Sequence, residues 1–236
     1  MQRIFKLAVL MIALAGLMAV PSFANTVTYT TLASFQGATS GGVTATFDSY
    51  AGPFPGVINN GDVVDGITFS SSIGGGNQFA IQTGFVTTSG ANDLGTTDAT
   101  TQSLFGSDSF TMTFSSPITA LGLYIIGGNP FDPGTFKLDI GSGFALSSGA
   151  PDSAQPLDGF SVAYFLGITS DTPFSSATLS AAIIAADGSG PLWNVDDITT
   201  ATANGNIPPP PQVPEPGTMV LMASGLGALV SRLRKA

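Results

Sequence analysis

The sequence contains no histidine and no cysteine. Those absences remove Ser-His-Asp and Cys-His triads, zinc sites built from imidazole or thiolate, iron–sulfur clusters, c-type haem attachment and disulfide scaffolds. Charge is also scarce: of 236 residues only 9% are charged, with 6 Lys plus Arg against 15 Asp plus Glu and a formal net charge of -9. Arg3 and Lys6 stand at one end, Arg232, Arg234 and Lys235 at the other, and Lys137 alone lies between. Residues 25–206 hold 14 Asp, no Glu and one Lys, a formal charge of -13. Such a body repels phosphate backbones and has no basic stripe with which to release counterions, which excludes nucleic acid as a partner. Divalent cations are its natural small partners. With 43% hydrophobic residues the composition still supports a packed core, unlike the apolar-poor composition of disordered chains.

Long apolar runs occur at the two ends. Residues 1–24 combine a short basic start, an uninterrupted apolar run of 14 residues from Leu7 to Val20, a helix-breaking Pro21 and the small residues Ser22 and Ala24 around Phe23. This is the pattern of a secretory signal peptide, with cleavage expected between Ala24 and Asn25 by signal peptidase after export through the Sec machinery. The run is short for a hydrocarbon core of about 30 Å, which favours a removable signal over a permanent anchor.

At the other end, residues 207–213 form a proline-rich linker that must be extended and semi-rigid. Val213, Pro214, Glu215 and Pro216 follow, then an apolar segment from Gly217 to Val230, then the basic tail with Arg232, Arg234 and Lys235. Proline suits the first turn of a helix, where its missing N–H would be unpaired anyway. A helix over 216–231 spans about 24 Å at about 1.5 Å per residue, so it holds a bilayer weakly, with its basic tail on the cytoplasmic side.

This order of motif, short apolar helix and basic tail over residues 214–236 resembles the PEP-CTERM sorting signal of Gram-negative bacteria. The resemblance implies recognition by exosortase, a membrane-embedded processing enzyme. It also implies a protein that is exported, held transiently at the inner membrane and delivered to the cell surface or beyond.

Between the ends, residues 25–206 read as one domain of alternating character. Phe110, Met112 and Phe114 alternate with threonines, Phe136, Leu138 and Ile140 alternate with Lys137 and Asp139, and Phe160, Val162 and Tyr164 repeat the scheme. Further strands are expected over 27–35, 43–47, 66–70, 79–87, 118–126, 177–185 and 193–202, separated by Gly, Asn and Asp clusters. Short strands with one polar face and few helix signals predict an all-β, antiparallel β-sandwich, jelly-roll-like before immunoglobulin-like or solenoid, flanked by the signal helix and a short C-terminal transmembrane helix. Phe114-Ser115-Ser116-Pro117 echoes Phe174-Ser175-Ser176-Ala177, and both are expected to be turns entering a core strand. The segments 109–122, 164–168 and 193–198 resemble the ectodomains of PEP-CTERM proteins, and the last also looks like the closing strand of jelly-roll carbohydrate-binding modules. In those folds a carboxylate at this place can help hold a structural calcium against the N-terminal strand.

Asp196 and Asp197 carry the most information in the body. Trp193, Val195 and Ile198 change parity across them, which a β-bulge explains, and a bulge turns both carboxylates toward one edge. Calcium takes roughly six to eight oxygen ligands, so Asp196 and Asp197 with Asp48 are the candidate set; the alternative is that they are solvated strand-end residues. Asp62 and Asp65 lack the spacing of an EF-hand loop and read as turn residues, and Gly74 to Gly76 lack the lysine and helix of a phosphate loop. Trp193, in an alternating apolar face, reads as core in preference to a sugar platform. Without the usual nucleophiles and bases an enzyme is not expected. The expected function is a structural protein of the cell surface or extracellular matrix, with an exopolysaccharide-binding module as the alternative.

Overall fold

A computed structural model describes residues 24–128, 131–153, 157–158, 160–181 and 190–205. The expected signal helix, the proline-rich linker, and the sorting motif with its helix and tail lie outside the described residues. Among the described residues no helix is long and apolar enough to cross a membrane.

The body is mostly antiparallel β-sheet with almost no helix, consistent with an all-β sandwich. Its strands are β1 (Thr26–Tyr29), β2 (Thr39–Ala45), β3 (Gly56–Val57), β4 (Val63–Val64), β5 (Ile67–Ser72), β6 (Phe79–Thr83), β7 (Asn92–Thr96), β8 (Ser109–Gly127), β9 (Phe136–Asp139), β10 (Phe144–Leu146), β11 (Val162–Ala181) and β12 (Trp193–Ala203). One helix, α1 (Leu32–Gly37), is capped by Thr31, whose hydroxyl accepts from the Ser34 N–H.

Two long strands organise the rest. The first half of β11 pairs with the second half of β8, from Val162 opposite Gly127 to Thr169 opposite Ala120. Beyond a register shift the second half of β11 pairs with the first half of β8, from Ser176 opposite Thr113 to Ser180 opposite Ser109. One layer therefore contains β1, β11, β8, β12, β2, β7, β6 and β3, and the other contains β10, β9, β11, β8, β5 and β4, with β8 and β11 shared. The inward residues change parity at the passage: Phe110, Met112 and Phe114 give way to Leu121, Leu123 and Ile125, and Tyr164, Leu166 and Ile168 to Ala177 and Leu179. A parity change is what a bulge imposes, because successive side chains alternate faces.

The two echoing segments are therefore not turns. They are the places where β8 and β11 pass between layers, and Phe114 meets Phe174 there edge to face at 6.2 Å. Hence β8 covers two expected strands without a break, as does β11. Other expectations are corrected in detail. Val27–Phe35 is a short strand followed by α1, because Thr31 caps a helix that buries Phe35 against Phe165 at 5.5 Å. Phe160 is 85% exposed and precedes β11, and Val43 is 68% exposed on β2. Strands β7 and β10 were not expected: Asn92, Asp93 and Gly95 are turn residues by composition, and β10 has three residues.

Aromatic rings from both layers close the main core: Phe79 stacks on Phe110 at 4.9 Å, Phe110 on Trp193 at 6.3 Å, and Trp193 meets Phe136 at 5.2 Å. Trp193 is buried and its Nε1–H donates to Phe105 O at 3.1 Å, so its one polar group is satisfied in the core. A smaller cluster of Phe35, Ala120, Tyr124, Ala163, Phe165 and Ala201 lies on the outer face of the first layer.

Candidate functional site

Strand β12 has an apolar inner face, Trp193 and Val195, and a polar outer face, Asn194 and Asp196, and all four are buried. The expected bulge is present. Asp196 is opposite Tyr124 in β8, the next pair is Thr199 with Gly122, and Asp197 between them has φ 52°. The strand returns to register at Ile198, which faces the core again.

The bulge is fixed from outside by the loop of residues 84–91, which joins β6 to β7. Asp196 Oδ2 accepts from the Thr88 N–H at 2.8 Å, the Thr88 hydroxyl at 2.9 Å and the Ser89 N–H at 3.1 Å. Its Oδ1 accepts from the Asp197 N–H at 2.8 Å. Asp197 takes the Thr88 hydroxyl at 2.8 Å and the Ser89 hydroxyl at 2.6 Å. Thr88 Oγ1 thus lies between two carboxylates, yet a hydroxyl carries one proton and can donate to only one of them. Desolvation, then the neighbouring Asp197 charge, pushes the Asp196 carboxyl up to about 7.

Asp48 holds the far end of the same loop, its Oδ1 accepting from the N–H groups of Ala91 at 2.8 Å and Asn92 at 3.1 Å. Gly90 is required there: its φ is 48°, and a Cβ at that position would lie 1.9 Å from Asp48 Oδ2. The three aspartates expected to share a calcium therefore grip one loop, but Asp48 is exposed whereas Asp196 is sealed. Among the described residues no group of three or more acidic side chains is placed to hold a metal ion. As a set, Asp48, Asp196 and Asp197 do not fit a calcium cage, because loop N–H and O–H groups occupy their oxygens.

The acidic residue that sequence reasoning missed is Asp93, on β7. Val195 pairs with Leu94, so one step along this antiparallel register sets Asp196 beside Asp93 on the outer face. Gln82 of β6 pairs with Asp93 from the other side. Asp93 is 0% exposed, and neither of its carboxylate oxygens has a hydrogen-bond partner. Burial pushes its carboxyl up to about 7; the Asn194 amide opposes the shift from outside hydrogen-bonding geometry, and the Asp196 charge adds to it. The one signal in the sequence was Asp93 itself, an acid next to Leu94 in a segment whose Asn and Gly neighbours disguise a strand.

The outer face of the second layer is different. Its register aligns Ser70, Thr111, Thr178, Asp139 and Phe144 in one row, with Ser72, Ser109, Ser180, Lys137 and Leu146 in the next. Phe144 is 53% exposed, and the Lys137 ammonium lies over its ring at 4.9 Å. An open cleft of about 260 Å³ between β2, β8 and β12 is lined by Gly41, Pro117, Thr119, Thr200 and Thr202 among others, none of them titratable. Asp62 accepts from the Asn59 N–H at 2.8 Å and Asp65 from the Phe47 N–H at 3.1 Å, so both are turn-fixing residues.

At the start of the body, the Asn25 N–H donates to Asp171 Oδ1 at 3.0 Å. At its end, Asn204 is fastened to Ala38 O at 2.9 Å and to Thr39 O at 3.2 Å. Beyond this point residues 212–235 match the PEP-CTERM protein-sorting motif. The chain carries a PEP-CTERM sorting signal. The match takes in Val213, Pro214, Glu215 and Pro216 together with Arg232, Arg234 and Lys235, as the sequence resemblance implied. No curated protein matches the chain. Among solved structures, a mutant of a family 29 carbohydrate-binding module, studied for its mechanism of ligand recognition, is similar at 12% identity and a TM-score of 0.34, covering 69% of this chain and 91% of that one.

Proposed function

We propose that this protein is a non-catalytic structural component of the cell surface or extracellular matrix of a Gram-negative bacterium, delivered there by its PEP-CTERM signal. The observation that carries the reading is the sorting motif at residues 212–235 behind a β-sandwich body. In this reading a signal peptidase cuts after Ala24, and the new α-ammonium of Asn25 meets the Asp171 carboxylate that already accepts its N–H. The C-terminal helix holds the body at the inner membrane until an exosortase-type enzyme removes it. The body itself is a jelly-roll-like sandwich. The absence of His and Cys from the sequence, which removes the usual nucleophile–base pairs, is what supports a role without catalysis.

The test is processing in the host. Mass spectrometry of surface material is expected to show a chain beginning at Asn25 and lacking the Arg232–Lys235 tail, with the tail retained in a strain without the exosortase. Deleting residues 213–236 is expected to release the body to the medium. A tail retained in the normal host would reject processing.

The second reading, binding of exopolysaccharide, is favoured by the outer face of the second layer. Hydroxyl rows ending at an exposed aromatic ring and a lysine are suited to a neutral glycan, which combines hydrogen-bonding edges with apolar faces. Retention of the exported protein on the host's own polysaccharide, lost in Phe144→Ala, would support it; no retention would leave the structural role alone.

A further inference from the structure

Asparagine is a chemically labile residue, and most so before glycine, which puts no side chain between the next backbone nitrogen and the side-chain amide. The sequence holds two such steps, Asn60-Gly61 and Asn204-Gly205. Both asparagines are exposed, but they are held differently. At the first, the Gly61 N–H donates to Phe69 O at 2.8 Å, and Asn60 Oδ1 accepts from the Ser71 N–H at 2.8 Å. The nitrogen that would attack and the amide it would reach are thus both tied to β5. At the second, Asn204 closes the end of β12 on the start of β2: its N–H donates to Ala38 O at 2.9 Å and its Nδ2 to Thr39 O at 3.2 Å. Among the described residues nothing accepts from the Gly205 N–H, and a Cβ on Gly205 would meet no atom within 4 Å. Ring closure there has one side-chain hydrogen bond to break.

We propose that Asn204-Gly205 is a site of spontaneous deamidation that unfastens the end of β12 from β2. The Gly205 nitrogen, its proton lost to hydroxide, bonds to Asn204 Cγ; the Cγ–Nδ2 bond breaks and ammonia leaves with a proton taken back from water. Water then adds to one of the two carbonyls of the resulting succinimide, and the ring opens to aspartate or isoaspartate. The net change is one water in and one ammonia out, with no oxidant, metal or enzyme. The product has no amide N–H to give to Thr39 O and sets a carboxylate against that carbonyl, in a body whose formal charge is already -13. In the isoaspartate the main chain also runs through the side-chain carbon, which displaces the chain from Gly205 onward. The strand end that leads into the proline-rich linker is thereby loosened by age and not by a partner. The inference does not depend on the sorting or matrix role.

The experiment incubates the protein purified from its host in mildly alkaline buffer and follows both Asn-Gly peptides by mass spectrometry, with isoaspartate measured by enzymatic methylation. Conversion at Asn204 is expected to run at least several-fold faster than at Asn60. Urea should bring the two rates together, because unfolding removes the bonds to β5 that protect Asn60. Gly205→Ala, whose added methyl has room, is expected to slow conversion at Asn204 several-fold and leave Asn60 unchanged. Hydrogen exchange reads the consequence: the Asn204 amide, held to Ala38 O, is expected to lose protection in aged protein and in Asn204→Asp alike, while β8 and β11 keep theirs. No conversion at Asn204, conversion at Asn60 as fast as at Asn204, or rates that stay apart in urea would overturn the structural assignment, and unchanged protection in Asn204→Asp would overturn the unfastening.

Discussion

The two faces of β12 are both buried, yet they are held by opposite physics. On the inner face Trp193 and Val195 join a cluster whose stability comes from area removed from water and from ring contacts across the layers. On the outer face Asn194 and Asp196 are covered by loops, and what holds them is a set of directional hydrogen bonds whose charge is not balanced within the body. The first face tolerates change in proportion to the volume lost. The second is sensitive to single protons.

The largest expected effect tests the first face. Phe110 is buried between Phe79, Phe69 and Trp193. Phe110→Ala should cost about 3–5 kcal/mol by chemical denaturation, since the rigid aromatic neighbours cannot collapse into the cavity. A cost under about 1 kcal/mol would mean that the two layers do not share one core.

That contrast also explains what could be read in advance. Alternation gave β9, the inward set of β8 and the bulge at Asp196 and Asp197, because period 2 and a parity change are local properties of a chain segment. The continuity of β8 through Ser115, Ser116 and Pro117 was not local: it depends on β11 bending at the same level, so that the two strands stay paired through the passage. Strand β7 was hidden for a related reason. Its Asn92, Asp93 and Gly95 are buried by loops and a neighbouring strand, while the same residue types elsewhere in this chain form turns. Burial of Phe160 was inferred from its parity with Val162 and Tyr164, but Asp158 accepts the N–H groups of Phe160 and Ser161 at 2.8 and 2.6 Å and starts the strand later. The sorting signal was legible because a membrane enzyme reads it as linear sequence, with no fold needed to assemble it.

An intermediate effect tests the second face through pH. With both carboxyls raised from an ordinary value of 3.8 to about 7, the folded chain holds more protons than the unfolded chain between those values. Stability must therefore fall as pH rises from about 4 to about 7, and level off above it. Melting temperatures at pH 5 are expected to exceed those at pH 8, and Asp93→Asn should flatten about half of the slope, because the Asp196 carboxyl is raised by its own burial and by Asp197. A flat profile would show that the pair is not sealed as described.

The smallest expected effect has the opposite sign and sits on the surface. Asp139 is held below the ordinary carboxylate value, first by its hydrogen bond from Lys137 and then by the Gly141 N–H, at 2.8 Å. A lowered carboxyl contributes stability above its unfolded value of 3.8 and loses it as pH falls through the folded one, so its signature lies below pH 3.8, outside the window of the buried pair. Both side chains are about one-third exposed, at 35% and 37%, which leaves the ion pair largely screened. Lys137→Met should cost no more than about 1 kcal/mol at neutral pH, less in high salt, and leave the slope between pH 5 and pH 8 unchanged. A change in that slope would mean that the one lysine of the body acts on Asp93 and Asp196 over a distance, and that the two acidic regions are electrostatically one.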